Sequence, residues 1–151
     1  MSQRWDFQAF EALTPAELYA LLRLRSEVFV VEQNCVFLDM DGSDAQAMHL
    51  LGWRDGSQPL LAASARCFGP GIKYPEASIG RVVTAPQARG GRLGHVLMQE
   101  AVAALERHWG AQPIRIGAQA HLHGFYARHG FVQAGEPYME DGIPHIEMLR
   151  P

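Results

Sequence analysis

A glycine-rich segment in the second half of the chain has the residue types of an anion-binding loop. Residues 89–94 follow a run of strand-forming residues from Ile79 to Thr84, and Pro86 ends that strand because proline cannot donate to a sheet ladder. From Leu93 onward, apolar residues recur at helical spacing. A strand, a glycine loop and a helix direct free backbone N–H groups and the positive end of the helix dipole toward one place. The pattern therefore predicts a phosphate site, and the two arginines of the segment add positive charge.

Two common phosphate loops do not fit this segment. A P-loop requires a lysine and then Ser or Thr after its last glycine, whereas His95 and Val96 follow Gly94. A dinucleotide-binding loop requires Gly-x-Gly-x-x-Gly, and no window of the segment has that pattern. On these residues alone, an ordinary glycine-rich connection is about as good an interpretation as a phosphate site.

Together with a second motif, the loop resembles the acyl-CoA diphosphate loop of the GNAT superfamily of N-acetyltransferases. The family pattern is Gln/Arg-x-x-Gly-x-Gly/Ala, and Arg92 stands where the middle glycine is expected. The second motif, Phe-Tyr-x-x-x-Gly-Phe, matches residues 125–131. Further similarity over residues 25–33 and 140–145 indicates the ElaA-like branch of the family. The resemblance covers most of the chain and implies acetyl-CoA as co-substrate.

The resemblance also assigns roles to residues of this sequence. In the family, the tyrosine of the second motif lies beside the acyl-CoA sulfur, and Tyr126 occupies that position here. Gln119 matches a position that often holds an asparagine bonded to the pantetheine arm. If the strand that precedes the loop separates from its neighbour, its N–H groups can face the pantetheine arm and the thioester oxygen. The expected cofactor-binding residues are Val82, Val83, Thr84, Arg89, Gly90, Gly91, Arg92, Leu93, Gly94 and Gln119.

Tyr126 is the candidate general acid. A thiol has a pKa near ~8.5 and a tyrosine near ~10, so the phenol still carries its proton at neutral pH. It can donate that proton, or a hydrogen bond, to the departing sulfur. For a tyrosine outside such a motif, a buried aromatic residue beside Phe125 would be the simpler interpretation.

The sequence does not single out the general base or the acceptor. An amine arrives mostly protonated, so a carboxylate or a neutral imidazole must take its proton. Each candidate can also be explained as a solvated or core residue; they are Glu32, His49, Glu140, Asp141 and His145. An acidic mouth that adds Asp39 and Asp41 to these carboxylates would suit a cationic amine. A peptide N-terminus, a lysine side chain, a polyamine, an antibiotic and a small metabolite all remain open as acceptors.

Neither a metal site nor a covalent acyl-enzyme is expected. His121 and His123 fall on a predicted helix, where positions i and i+2 point apart. Residues 39–44 resemble a calcium loop only superficially, because the glutamate at the twelfth position is absent, and we expect a solvated loop. Cys35 and Cys67 lie outside the two motifs, so direct transfer in a ternary complex is the expected route.

The periodic patterns place these residues in one domain, residues 1–151, of α/β (α+β) class. Strands are predicted over residues 4–10, 46–53, 59–68, 77–84, 113–117, 131–135 and 145–149, and helices from Thr14, over 91–108 and over 119–129. Residues 28–33 have strand propensity, but the resemblance favours a short helical or irregular piece, and residues 136–144 are expected to form a loop. A mixed central sheet flanked by helices is the simplest packing, and the resemblance names it the GNAT acyl-CoA N-acyltransferase fold.

Composition excludes several other classes of function. Of the 151 residues, 48% are hydrophobic and 19% are charged, which is typical of a globular domain rather than a disordered chain. A net charge of −3 disfavours nucleic-acid binding, and no apolar run reaches membrane-spanning length. The polar start of the chain and its two cysteines favour a cytoplasmic protein. A homodimer is expected from general frequencies only.

The sequence thus predicts an N-acetyltransferase that moves an acetyl group from acetyl-CoA directly to a primary amine. An acyl-CoA-binding sensor or interaction module without transferase activity is the first alternative, and Arg92 in place of glycine favours it. A nucleotide-binding protein that uses the same loop is the second.

Overall fold

The computed structural model describes residues 3–151 and contains eight strands and three α-helices within that range. The strands are β1 (Gln3–Ala9), β2 (Met48–Arg54), β3 (Leu60–Phe68), β4 (Ser78–Thr84), β5 (Ile114–Gln119), β6 (Val132–Gln133), β7 (Tyr138–Glu140) and β8 (Ile143–Arg150). The helices are α1 (Pro15–Arg25), α2 (Leu93–Trp109) and α3 (His123–Ala127). A π-helical segment (Ser26–Glu32) continues α1, and short 3-10 turns cover Phe10–Ala12, Asp44–Gln46, Pro86–Ala88 and Ala120–Leu122.

Two antiparallel sheets meet along one line. The first sheet has the order β1-β2-β3-β4, and the second has the order β5-β8-β6 with β7 also paired to β8. Within residues 3–151 a parallel bridge between Ala77 and Ile114 joins the two sheets, and the Arg115 amide donates to the Ala77 carbonyl at 2.9 Å. The expected mixed sheet with flanking helices is therefore confirmed. Beyond that bridge, β4 and β5 diverge.

The sequence signals for α1 act as expected. The Glu17 amide donates to Thr14 Oγ1 at 3.1 Å, and the Thr14 amide donates to Glu17 Oε1 at 2.8 Å, so both halves of the capping box are formed. Pro15 occupies the first helical position, where its missing N–H has no helical partner in any case. The helix then continues into the π-helical segment, which confirms the helical interpretation of residues 28–33 over their strand propensity.

One side of α2 forms the centre of the core. Leu97, Met98, Ala101 and Leu105 are fully buried in a cluster that includes apolar side chains of β3 and β4. This is the helical spacing that the sequence showed from Leu93 onward. Truncation of one of these larger side chains to alanine typically costs about 2–5 kcal/mol. The packing fixes the start of α2, and with it the glycine loop, against the end of β4.

Residues 39–44 are only partly the solvated loop that the sequence predicted, because Met40, Asp41 and Gly42 are exposed but the acids of the segment are paired with arginines. Asp39 is buried, and its Oδ2 accepts from Arg25 Nε at 2.8 Å; the Arg25 side chain is also buried. Arg25 and Arg66 both donate to Asp44, and Arg66 also donates to Asp41 at 2.8 Å. The expectation failed for the acids because three arginines that are distant in sequence, the third being Arg81, pair with them. A buried carboxylate needs such partners to offset its lost hydration.

Two further boundaries differ from the sequence prediction. Residues 136–144 contain β7 and a tight turn rather than a loop, since Asp141 and Gly142 adopt φ of 50° and 76° and connect β7 directly to β8. Gln119 ends β5 instead of beginning a helix, and the predicted helix over 119–129 shortens to a 3-10 turn followed by α3. Both differences move side chains onto the wall of one cleft.

Candidate active site

The divergence of β4 and β5 opens a cleft between the two sheets. It encloses about 810 Å³ of empty space, with its open mouth included. One wall is residues 79–82 of β4, and the facing wall is Ile116, Gly117 and Gln119 of β5. Tyr126 closes one end, and residues of the turn between β7 and β8 form another side. In the part of the chain that the structure describes, the strand before the glycine loop is thus joined to β5 only through the bridge between Ala77 and Ile114.

The β4 wall of the cleft contains a bulge at Arg81. The register with β3 shifts there, because Val83 pairs with Ser64 and Gly80 pairs with Arg66, which leaves two residues of β4 opposite one of β3. Arg81 adopts φ of 47°, which is a left-handed conformation and unfavourable for a non-glycine residue. A bulge of this kind turns backbone groups of the strand edge toward the cleft. No local sequence signal announced it.

Buried acids hold the bulge in place. Arg81 Nη2 donates to the Asp39 carbonyl at 2.9 Å, and Arg81 Nε lies 2.8 Å from Asp39 Oδ1 as an ion pair without hydrogen-bond alignment. The Arg81 guanidinium also lies 5.6 Å from the centre of the Phe37 ring. The loop over residues 39–44 therefore sets the shape of the cleft wall.

The glycine loop presents a row of free backbone donors. Gly90, Gly91 and Arg92 have φ of 108°, 60° and 64°, so three successive residues are left-handed. Within residues 3–151, none of the backbone hydrogen bonds is donated by the amides of Gly90, Gly91, Arg92, Gly94 or His95. The α2 helix begins at Leu93, and its first turn adds the positive end of the helix dipole. This geometry suits an anion such as a diphosphate.

Arg89, at the start of the glycine loop, is paired with a carboxylate. Arg89 donates two hydrogen bonds to Glu32, at 2.7 and 2.8 Å, and this contact lowers the pKa of the Glu32 carboxyl from its usual value. Arg89 also donates to the Thr84 carbonyl at 3.2 Å. Arg89 therefore fastens the loop to β4 and to the π-helical segment, and its charge is already matched by a carboxylate.

Two histidines complete the surface beside the loop. His95 Nδ1 lies 2.9 Å from His129 Nε2, and their rings stack with centroids 5.1 Å apart. Loss of hydration lowers the pKa of each histidine from its usual value, and the charge of Arg92 adds to that effect. Both imidazoles therefore favour the neutral form, and Arg92 adds a permanent positive charge beside them.

Tyr126 is a buried tyrosine at the end of the cleft. Its ring packs edge-on against Phe125, with centroids 5.0 Å apart, and against Phe131 at 6.0 Å. The residue retains 8% exposure and lines the cleft. Burial raises the pKa of Tyr126 to about 12, so the phenol stays protonated throughout the neutral range. It can serve as a donor and not as a base.

The β7–β8 hairpin brings three polar side chains together, and two of them, Glu140 and His145, line the cleft. Tyr138 pairs directly with His145 across the two strands, and their rings stack with centroids 5.8 Å apart. His145 Nε2 lies 3.6 Å from Glu140 Oε2. Burial raises the pKa of Tyr138 to about 12, and the nearby carboxylates add to the increase. The hairpin was not predicted from the sequence, although the dipeptide Asp141-Gly142 is its usual turn signal.

The structure separates four of the residues that were suggested as the general base or as substrate contacts. Glu140 and His145 line the cleft, whereas Glu32 lies at the glycine loop in its pair with Arg89. His49 lies on β2, buried, with Nε2 2.9 Å from the Asp44 carbonyl. Among the suggested cofactor residues, Val82 and Gln119 line the cleft and Val83 points into the core.

The cysteines occupy different environments. Cys35 lines the cleft, with Sγ 3.3 Å from the Asp141 carbonyl oxygen, so this thiol is near the site in space although far from the motifs in sequence. Cys67 is fully buried, and burial raises its pKa to about 12.

No group of three or more metal-ligating side chains in residues 3–151 is placed to hold a metal ion. The same part of the chain contains no helix long and apolar enough to span a membrane.

Comparison with known proteins agrees with this geometry. Residues 32–150 match the acetyltransferase (GNAT) domain family. Protein ElaA of Escherichia coli is 42% identical over 148 residues, which cover 97% of this chain and 95% of ElaA. The crystal structure of an acyl-CoA N-acyltransferase from Pseudomonas aeruginosa superposes with a TM-score of 0.92 at 47% identity, covering 99% of this chain and all of that one. The crystal structure of E. coli ElaA gives a TM-score of 0.89 at 40% identity, with the same coverage. The chain therefore belongs to the GNAT family, in its ElaA-like branch, and is an acyl-CoA-dependent acyltransferase.

Proposed function

We propose that this protein transfers an acetyl group from acetyl-CoA directly to a primary amine. The observation that carries the proposal is the cleft itself, in which the bulged edge of β4 and Tyr126 face one space. The cleft suits the thioester of CoA, and the free amides of the glycine loop, which follows β4 in the chain, suit its diphosphate. An extended pantetheine arm along β4 would connect the two.

The cofactor would be held mainly by backbone groups. The amides of residues 90–92 and of the first turn of α2 would bind the diphosphate, while β4 residues 82–84 would hold the pantetheine arm. Gln119 lies on the facing wall, with Nε2 3.3 Å from Gln33 Oε1, and would add a side-chain contact to the arm. A backbone amide at the bulge would polarise the thioester carbonyl as negative charge develops on its oxygen.

Tyr126 would act on the leaving group. Its pKa of about 12 is several units above that of a thiol near ~8.5, so complete proton transfer to the thiolate is uphill before the cofactor binds. A hydrogen bond that shortens as negative charge grows on sulfur is therefore the main contribution of the phenol. The proton can then follow as the thiolate departs.

Direct transfer fits the thiols better than a covalent intermediate does. Cys67 is fully buried and its raised pKa leaves it protonated, so it is not a nucleophile. Cys35 lies in the cleft wall, but its sulfur is engaged with the Asp141 carbonyl oxygen.

Two free cysteines also fit a reducing compartment, and we place the protein in the cytoplasm.

The proposal is tested with Tyr126→Phe. Release of CoA thiol is measured with acetyl-CoA and a panel of amines: peptide N-termini, lysine peptides, polyamines, aminoglycosides and small alkylamines. Loss of a general acid typically lowers kcat by about 10²–10⁴-fold, while the affinity for CoA should be unchanged because the hydroxyl contacts only the sulfur. Tyr19→Phe is the matched control, because Tyr19 is 72% exposed on α1 and should keep full activity.

The outcomes separate the competing functions. Full turnover by Tyr126→Phe across the pH range would contradict the role of the phenol. Tight CoA binding without turnover of any amine would favour an acyl-CoA sensor, the alternative that Arg92 suggested. In the structure Arg92 itself adopts the left-handed conformation that a glycine would supply, so the loop keeps its shape. Displacement of CoA by ATP would favour a nucleotide-binding protein instead, and longer acyl-CoA donors that outperform acetyl-CoA would correct the acyl group.

A further inference from the structure

Transfer to an amine requires a base that the proposed chemistry has not yet supplied. An aliphatic amine reaches the cleft as an ammonium ion, and its nitrogen attacks only after it loses a proton. We propose that His145 is this general base and that Glu140 is its positioning residue, an inference that rests on the proposed acetyltransferase function. The side chains of both residues line the same cleft as Tyr126.

The hydrogen bond of His145 fixes which ring nitrogen is available. His145 Nδ1 lies 2.7 Å from the Ile143 carbonyl oxygen, which can only accept, so Nδ1 carries the proton. The other nitrogen, Nε2, therefore has a free lone pair. A neutral imidazole with a defined tautomer and a free Nε2 has the form that a general base needs.

The β7–β8 hairpin places a carboxylate beside that lone pair. Tyr138 lies directly opposite His145 in the register, and Glu140, two residues along β7, lies on the same face. Glu140 Oε2 is 3.6 Å from His145 Nε2, and the Glu140 side chain is 59% exposed. When Nε2 gains a proton, Glu140 can form an ion pair with the imidazolium without moving far. The stacked Tyr138 ring keeps the imidazole in its orientation.

The other candidate bases are engaged or lie elsewhere. Glu32 accepts two hydrogen bonds from Arg89 at the glycine loop. His49 lies on β2 outside the cleft and is bonded to the Asp44 carbonyl. Asp39 and Asp41 serve the buried arginine network. Asp141 does line the cleft, but a carboxylate is a weaker base than an imidazole.

The protons and bonds of the reaction balance in this scheme. An ammonium N–H bond breaks and its proton moves to His145 Nε2, and the freed lone pair forms the N–C bond to the thioester carbonyl. When the tetrahedral intermediate collapses, the C–S bond breaks and the sulfur takes the proton of Tyr126. The second proton of the attacking nitrogen restores the phenol. The products are an amide, the CoA thiol and one proton on His145, which passes to water.

Several charged and titratable groups surround the imidazole and shape its pH response. Glu140 and Tyr138 face it from β7, Asp141 from the turn, Cys35 from the segment after the π-helical turn, and Arg81 from β4. A carboxylate attracts an imidazolium, and a guanidinium repels it.

The first test measures turnover with the best amine of the panel. We expect His145→Ala to lower kcat by about 10²-fold or more, with unchanged affinity for CoA and with partial recovery when free imidazole is added. His121→Ala, at an exposed histidine of the 3-10 turn before α3, is the matched control and should keep full activity. Rescue by imidazole separates a base from a structural role. Full activity of His145→Ala, or a loss that imidazole does not restore, overturns the inference and leaves the proposed function standing.

The second test does not depend on a well-folded histidine variant. Glu140→Gln, at an exposed side chain, should move the acidic limb of the kcat/KM profile to lower pH, because the imidazolium has lost its anionic neighbour. The ¹⁵N shifts of the wild-type His145 ring at neutral pH should show a proton on Nδ1, and a proton on Nε2 overturns the assignment. An unmoved acidic limb in Glu140→Gln overturns the role of Glu140. A wild-type protein that acetylates no amine overturns the proposed function, and this inference with it.

Discussion

Replacement of Arg92 with glycine separates two effects of this residue on the loop before α2. Arg92 has φ of 64° and ψ of 26°, a left-handed conformation. Such a conformation costs a non-glycine residue roughly 1–2 kcal/mol, whereas glycine loses roughly 0.5–1 kcal/mol more chain entropy on folding. The difference is a gain of zero to about 1.5 kcal/mol in the free energy of unfolding. In a domain of this size each kcal/mol corresponds to about 2–4 °C, so we expect Tm to stay constant or to rise by a few degrees.

The same substitution should weaken the binding of CoA. It removes one positive charge beside the free amides of the glycine loop, where the diphosphate is proposed to lie. Two unit charges about 4 Å apart in water interact by about 1 kcal/mol, which corresponds to a roughly fivefold change in Kd. Because salt screens exposed charges over about 10 Å at 0.1 M, the loss should be largest at low ionic strength.

Calorimetric titration with CoA, at low and high ionic strength, and thermal unfolding measure the two effects separately. Arg92→Lys is the control, since it keeps both the charge and the left-handed residue, and it should match the wild type in Kd and in Tm. A lower Tm for Arg92→Gly would refute the argument from backbone conformation. An unchanged Kd at low ionic strength would show that Arg92 does not face the diphosphate.

Three other substitutions test the scaffold. Gly91→Ala, at φ of 60°, should lower the free energy of unfolding by about 1 kcal/mol in urea, whereas Gly135→Ala, in open space without a positive φ, should not. Burial lowers the pKa of His49, so the unfolded chain binds a proton at this residue more tightly than the folded protein does. The free energy of unfolding therefore falls as the pH drops below about 6.5, by up to ~1.4 kcal/mol per pH unit. His49→Gln should flatten the dependence of Tm on pH, and a variant whose Tm changes with pH as the wild type's does would contradict this account. Arg25→Met leaves the buried carboxylate of Asp39 without its main partner and should cost about 3–5 kcal/mol in urea unfolding, and a loss under 1 kcal/mol would refute a structural role for the network.

Local patterns in the sequence predicted most of the fold. The capping box at Thr14 located the start of α1, and alternation located the long strands, because these signals depend on residues within one turn or one strand. The short strand β7 escaped, since its three residues cannot show an alternating pattern. The turn that follows it contains Asp-Gly, as does the connection between β2 and β3. The Asp-Gly dipeptide could therefore have indicated the turn between β7 and β8, but the short strand before it gave no pattern to support that prediction.

The glycine loop and the cleft differed in how far they could be predicted. Backbone donors form the proposed diphosphate site, and glycine spacing reveals them because only a few residue types permit left-handed turns. Side chains line the part of the cleft where the acceptor is proposed to bind, and they come from segments far apart in the chain. His145, for example, contacts Glu140 only because an Asp-Gly turn folds β7 onto β8.

The buried arginine network shows why local sequence patterns could not predict the bulged edge of β4. Arg25 is 14 residues from Asp39, and Arg81 is 42 residues from it, so no short window contains both members of an ion pair. Yet these pairs stabilise the left-handed residue that forms the bulge. The composition of this loop predicts that it is solvated, but its carboxylate at Asp39 is buried in ion pairs with guanidinium groups. Neither charge could be buried alone. In the proposed mechanism the acids of residues 39–44 would act on the acyl group only indirectly, through the position of the β4 edge, and we expect their loss to alter catalysis by moving the thioester rather than by removing a contact to it.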